Sequence, residues 1–193
     1  MSIFAKSNRI IEDPPIAKFL FSNTRMSWLW LVVRVYLGWE WLQAGLNKLT
    51  PAWLDEGVAL KGFWERAIVV PAEGRPAIAF DWYRDFIAFL LETGSYSWFA
   101  KVIVYGEILV GVALILGAFV GISAFFGALM NWNFIMAGAA STNGLLFVLA
   151  ILLMLAWKTA GYLGLDYLLL PYIGTPWKGS QSVTKEQAAP SPA

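Results

Sequence analysis

The residues best placed to do chemistry are the polar ones that interrupt long apolar runs: Arg34, Glu40 and Gln43 in the first run, Glu107 in the second, and Asn131 and Asn133 in the third. A charge at the centre of a membrane helix costs about 2.5–3.5 kcal/mol on insertion scales, so each such group must face a protein interior and find a partner. A carboxylate held there can take up or release a proton. Lys or Arg at the edge can grip an oxyanion through charge-assisted hydrogen bonds. The 193 residues include no His and no Cys. That excludes covalent haem, cysteine-ligated iron–sulfur clusters, thiolate nucleophiles, disulfides and the usual zinc and copper sites, so no haem, iron–sulfur cluster or metal is expected. Met130 and Met136 alone make no copper site.

Depth along the helices predicts which groups meet. At 1.5 Å per residue, counted from Trp28, Arg34 lies about 9 Å in and Glu40 about 18 Å in. Glu107, some five residues from the outer end of a span running the other way, lies about 8 Å below the outer surface. That is level with Gln43, Asn47 and Lys48. The expectation is a Lys48–Glu107 ion pair with Gln43 or Asn47 as a second hydrogen-bond partner. Arg34 is too low for Glu107 and closer in depth to Asn131. Arg34, Gly38, Trp41, Gly45 and Lys48 recur every three or four residues as one stripe. Glu40, Gln43 and Asn47 form another, about 120° away, so the first helix should touch two neighbours. Plainer uses exist for each group. The ion pair would equally fix helix register, Arg34 would snorkel toward phosphate, Asn131 and Asn133 would glue helices together, and Trp39, Trp41, Trp82 and Trp132 would pack in belt and core rather than stack on a quinone ring.

The elements that must position these groups follow from composition. The chain is 59% hydrophobic and 14% charged, against roughly 25% charged in soluble domains. Four apolar runs approach the ~20 residues that cross hydrocarbon as a helix: about 26–49, 102–121, 123–140 and 145–163. Short connections at Gly121–Ser123 and Ser141–Gly144 admit only antiparallel neighbours. The fold expected is an all-α membrane protein, an up-down four-transmembrane-helix bundle. Its N-terminal segment, 1–25, carries a short amphipathic stretch at Ile16–Phe21, and the first apolar run starts too late and runs too long for a signal peptide. The outer loop, 50–101, reads as two amphipathic helices, 55–69 and 80–92, too much patterned sequence for a linker. The tail, 172–193, has the composition of a disordered segment. Lys and Arg near the span ends favour the termini, so both termini are expected to be cytoplasmic in a multi-pass cell-membrane protein whose loop faces outward. A net charge of +1 gives no field for nucleic acid; the expected partner is the lipid bilayer.

The segment Arg34–Leu49, RVYLGWEWLQAGLNKL, resembles the opening helix of the DoxX/DoxD family of membrane proteins, with the family's Arg, Gly, Gly and Lys at Arg34, Gly38, Gly45 and Lys48. Gly106–Gly117, GEILVGVALILG, is similar to that family's second helix with its Glu at Glu107. Gly161–Pro171, GYLGLDYLLLP, is similar to its closing Gly-rich turn with an Asp, here Asp166. The resemblance implies a four-helix membrane protein. In its DoxD-type members, which the long outer loop favours, it implies the small subunit of thiosulfate:quinone oxidoreductase, oxidising thiosulfate to tetrathionate and passing electrons to quinone with a partner subunit.

On that reading the cofactor is a non-covalently bound quinone, and the electrons pass directly between bound molecules or through a second subunit or soluble redox protein. Glu107 and Glu40 are the catalytic candidates, as proton donors to a quinone. Lys48, Arg66, Arg75 and Arg84 are the candidates for holding thiosulfate at the outer mouth. Arg34, Gln43, Asn47, Asn131, Asn133 and Asp166 make up the polar core. Two other functions remain open: a non-catalytic membrane scaffold that recruits a soluble redox partner through the aromatic loop and tail, and a small-solute or proton carrier that uses the buried carboxylates.

Overall fold

The computed structural model describes residues 12–173; the first eleven residues and positions 174–193 of the expected disordered tail lie outside them, while the tail's first two residues, Tyr172 and Ile173, close a 3-10 turn. All regular structure among the described residues is helical. Ten α-helices follow one another: α1 (Pro15–Ser22), α2 (Ser27–Asn47), α3 (Pro51–Leu54), α4 (Val58–Ala67), α5 (Asp81–Glu92), α6 (Tyr96–Leu116), α7 (Val120–Met136), α8 (Asn143–Leu155), α9 (Trp157–Gly161) and α10 (Asp166–Leu169). The bundle is built from α2, α6, α7 and α8. Helix α2 lies along α6 and α7 along α8, with a slighter contact between α6 and α7; α2 also meets α8 and α9.

Glycine sets how closely α2 and α6 approach. A Cβ at Gly38 would lie 2.9 Å from the Gly111 carbonyl oxygen, one at Gly45 2.6 Å from the Ile108 side chain, and one at Gly111 2.5 Å from the Leu42 amide nitrogen. Small residues that allow backbones this close are the usual glue of helices in an apolar medium. The stripe Arg34, Gly38, Gly45, Lys48 is therefore the face that α2 turns to α6. Trp41, also on that stripe, packs against Gly127 of α7, where a Cβ would lie 2.9 Å from its indole nitrogen.

Helix ends differ from those expected. The second apolar helix begins at Tyr96, six residues earlier than 102, because Tyr96–Lys101 joins the cap rather than a loop. It ends at Leu116, where Gly117 adopts a left-handed φ of +71°, a common helix stop. The fourth run breaks: α8 ends at Leu155 and α9 resumes at Trp157. Only Tyr96–Leu116 among the described residues is long and apolar enough to cross a membrane, and α7 and α8 are apolar but shorter.

The segment between α2 and α6 folds into a cap. Its core is Leu60, Trp64, Ile78, Tyr83, Ile87 and Leu90, packed on Ala100 and Ile103 near the start of α6 and Ala137 at the end of α7. Burial of these apolar side chains every three or four residues is what makes α4 and α5 helical here. The expected apolar faces needed correction in part: Val58, Trp82, Phe86 and Phe89 are exposed. At the opposite end of the bundle α1 lies beside α9, with Phe21 stacked on Trp30 at 5.6 Å and the Trp30 indole donating to the Leu20 carbonyl at 2.8 Å.

Candidate functional site

Lys48 occupies the C-cap of α2, and Glu107 lies eleven residues into α6, about 16 Å along that helix. The first turns of α6 project past the end of α2: Gly45 meets Val104 and Ile108, which sets Glu107 level with Gly45, about one helical turn below Lys48. They meet because Cα–Cβ bonds tilt toward each helix's own N-terminus: Lys48 runs back down α2 while Glu107 leans up α6 toward the cap. The Lys48 ammonium donates to both Glu107 oxygens, at 2.9 and 2.7 Å, and to the Ala44 carbonyl at 3.3 Å. The Glu107 side chain is 1% exposed and that of Lys48 22%. Lys48 also stands 5.5 Å from the centroid of the Trp53 ring and 6.0 Å from that of Phe134. The expected second partner is corrected: neither Gln43, half-buried, nor Asn47, exposed, bonds to this pair.

The pair forms the floor of a pocket of about 430 Å³. Glu40 and Trp41 of α2, Trp53 of α3, Phe63 and Arg66 of α4, and Phe134 of α7 supply its walls. Both catalytic candidates therefore share one cavity, with two of the four cation candidates. Arg75 and Arg84 do not line it. Arg84 instead pairs with Asp81 on its own helix. The Trp41 indole N–H, in a side chain 2% exposed, has no acceptor among the described residues. Sequence reasoning missed Phe134, Phe63 and Trp53 as walls. Their signal was faint: Trp53 follows Pro51 at a helix start, and Phe134 follows Asn131 by three residues, within one turn.

Arg34 and Asp166 make a second polar cluster at the other end of the same helix pair. Arg34 does not turn to Asn131, a correction whose cause is its stripe: with Gly38 and Gly45 it faces α6 and the turn after α9, where backbone carbonyls lie within reach. Its guanidinium donates to the carbonyls of Leu114 at 2.7 Å, Ile115 at 3.0 Å and Leu163 at 3.0 Å. A cation there complements the C-terminal end of α6. The Asp166 carboxylate accepts from the Phe119 and Val120 amides, at 2.6 and 2.9 Å, and caps the start of α7. That bond holds Phe119 in a left-handed conformation, φ 46°, which a non-glycine residue adopts only under constraint. A Cβ at Gly117 would fall 2.2 Å from the Arg34 guanidinium, and one at Gly161 2.6 Å from the Asp166 carboxylate. The cluster is sealed and makes no cavity.

Asn133 ties cap to bundle: the Tyr83 hydroxyl donates to its side-chain and backbone oxygens, both at 3.1 Å, and its amide donates to the Leu129 carbonyl. Burial pushes the Tyr83 phenol up to about 12, so it stays protonated as a donor. Asn131 is fully buried, and neither of its polar atoms has a partner among the described residues.

Charge decides what the pocket can hold. Glu107 occupies the Lys48 ammonium through both its oxygens, leaving Arg66 as a lining cation with no ion pair among the described residues and Glu40 as a second carboxylate. A dianion gains little from such a balance. A neutral, flat ring bearing carbonyl oxygens fits better, with aromatic walls and carboxyl groups for protons. No group of three Asp or Glu side chains able to hold a metal ion stands together among the described residues. Comparison with protein-family models, curated proteins and solved structures gives no match.

Proposed function

We propose that this chain is a DoxX/DoxD-like four-span membrane protein, and that its outer pocket receives the ring of a quinone as part of an oxidoreductase acting on thiosulfate or a related sulfur compound. The observation that carries the reading is the buried Lys48–Glu107 pair at the floor of an aromatic pocket that Glu40 also lines. The membrane reading draws support from the outward faces of the bundle. Val32 and Trp39 on α2, Leu109 and Leu116 on α6, Phe125 and Leu129 on α7, and Val148 and Leu155 on α8 are all exposed, more apolar surface than a soluble monomer ordinarily presents. Of the apolar window in α6, 39% is buried, and Trp98, Val102, Tyr105, Leu109, Val112 and Leu116 form an exposed apolar face along it. The cap faces outward on this reading, by the Lys and Arg count at the span ends.

A bound quinone supplies the two-electron acceptor. This chain's own residues would position its ring and relay to it the two protons that reduction takes up from water, Glu107 and Glu40 being the carboxyls within the pocket. Two thiosulfate ions joining as tetrathionate release the two electrons, which balances the exchange. Because the pocket balances its own charge, the sulfur donor is met on a partner subunit rather than beside Lys48. The exposed Trp82, Phe86 and Phe89 on the outer face of α5 are the docking surface for it, and they equally support a scaffold role without catalysis.

The test is thiosulfate-dependent quinone reduction by membranes containing this chain, with any required partner supplied. Reduction that is lost in Glu107→Gln is the expected result. Wild-type membranes that leave quinone oxidised sink the oxidoreductase reading, and a tightly bound partner without turnover favours the scaffold.

A further inference from the structure

The outer pocket is lined by four charged side chains, and only two of them meet. Lys48 and Glu107 satisfy each other through both carboxylate oxygens, and the ammonium also reaches the Ala44 carbonyl. Glu40 and Arg66 line the same cavity, yet among the described residues neither has a hydrogen bond or an ion pair, to the other or to any third group. Glu40 is half-buried and stands eight residues before Lys48, about 12 Å along α2. Ala44, one turn from each and also in the lining, places only a methyl group between them. Arg66 belongs to the last turn of α4, on a stripe with Ala59 and Phe63 that lines the cavity. Gly62, one turn earlier, lets its guanidinium lie back along the helix: a Cβ there would stand 3.4 Å from one of its nitrogens. The neighbouring Glu65 is engaged with Lys61.

Opposite charges that face one cavity without meeting are the complement of a ligand that carries both. We propose that the pocket also binds a small zwitterion whose ammonium and carboxylate are set apart by a flat apolar spacer, with the ammonium at Glu40, the carboxylate at Arg66 and the spacer against Trp53, Phe63 and Phe134. A guanidinium matches a carboxylate through paired N–H donors. An ammonium beside a carboxylate among aromatic rings gains from both, as Lys48 already does at 5.5 Å from the Trp53 centroid and 6.0 Å from that of Phe134. A ligand with one charge would answer one of the two groups and leave the other alone; a zwitterion answers both and keeps the cavity neutral. The volume, about 430 Å³, falls within the roughly 300–1,000 Å³ of small-molecule sites. This is a second ligand class for the cavity, and it does not rest on the quinone reading.

The full chain in lipid nanodiscs is titrated calorimetrically, with empty nanodiscs subtracted, against three molecules of one shape. 4-(Aminomethyl)benzoate carries both charges, 4-methylbenzylamine only the cation and 4-methylbenzoate only the anion. Wild type should bind the zwitterion about tenfold more tightly than either analogue, the scale of one charge-assisted hydrogen bond. Glu40→Gln should weaken the zwitterion and the amine about tenfold and spare the benzoate. Arg66→Gln should weaken the zwitterion and the benzoate and spare the amine, so the analogue each variant spares reports that its pocket is intact. An analogue that binds wild type as tightly as the zwitterion, a variant whose losses ignore ligand charge, or a wild type that does not bind the zwitterion overturns the inference. Quinone reduction by a chain that binds no zwitterion leaves the oxidoreductase reading standing alone, and zwitterion binding by one that leaves quinone oxidised does the reverse.

Discussion

The two ends of the α2–α6 pair each carry a cation on the same stripe, yet they are built for different work. At the end away from the cap Arg34 is 1% exposed, donates to three carbonyls at or just past helix ends while its Nε has no acceptor among the described residues, and sits beside glycines that leave no room for a side chain. At the cap end Lys48 meets a single carboxylate, remains partly exposed and opens onto a cavity. A polar group whose partners are all backbone, in a sealed site, is holding the chain together. One whose partner can itself change charge, beside free volume, is available to a ligand. Burial alone does not separate them, because Glu107 is as buried as Arg34.

The comparison breaks first at Gly117. Gly117→Ala drives a Cβ into the guanidinium and into the Gly164 backbone from a left-handed φ, and should cost about 3 kcal/mol or more. Its thermal midpoint in detergent should fall further than that of any pocket variant; a midpoint like wild type would mean the inner cluster is not structural. Glu107→Gln sharpens the other side. It should lower quinone-linked turnover about 100-fold, as loss of a positioned proton donor does, with a far smaller shift in midpoint. Tyr83→Phe should cost about 1 kcal/mol through the lost bond to Asn133. That difference from wild type should hold below pH 10 and shrink between pH 10 and about 12. There the unfolded wild-type phenol ionises while the buried one does not, so wild type loses stability that the Phe variant never had to lose. A difference that widens with pH would contradict the burial of this hydroxyl. Arg84→Ala should move stability by less than about 0.5 kcal/mol, as expected of a pair with an exposed partner, and leave ligand binding intact, whereas Arg66→Ala should weaken it. Equal effects of the two would return Arg84 to the site.

Much of this was legible in the residues. Apolar runs and short connections announced the four bundle helices, and the three-and-four spacing of Arg34, Gly38, Trp41, Gly45 and Lys48 announced the contact face of α2. Lys48 with Glu107 was legible too: depth counting put them near one level, the packing of Gly45 on Val104 and Ile108 leaves them about a turn apart, and the opposed tilt of the two side chains closes the gap. Arg34 exposes the limit of depth counting, since the backbone carbonyls it satisfies carry no signature in side-chain sequence. The aromatic walls of the pocket were hidden for another reason. Trp53, Phe63 and Phe134 come from three helices far apart in the chain, and only the folded cap brings them to one cavity.

By itself the sequence determined the helical class, the absence of His and Cys chemistry, and which few polar groups would have to be reconciled with an apolar interior. These depend on composition and local periodicity, which survive any packing. Only the tertiary structure decided that Lys48 faces a cavity while Arg34 bonds backbone alone, that Arg75 and Arg84 stand away from the pocket, and that Phe134 of α7 joins Trp53 and Phe63 of the cap in its walls. Each of those depends on which way a side chain leans and which distant helix it meets, a matter of angles and separations that residue order does not carry.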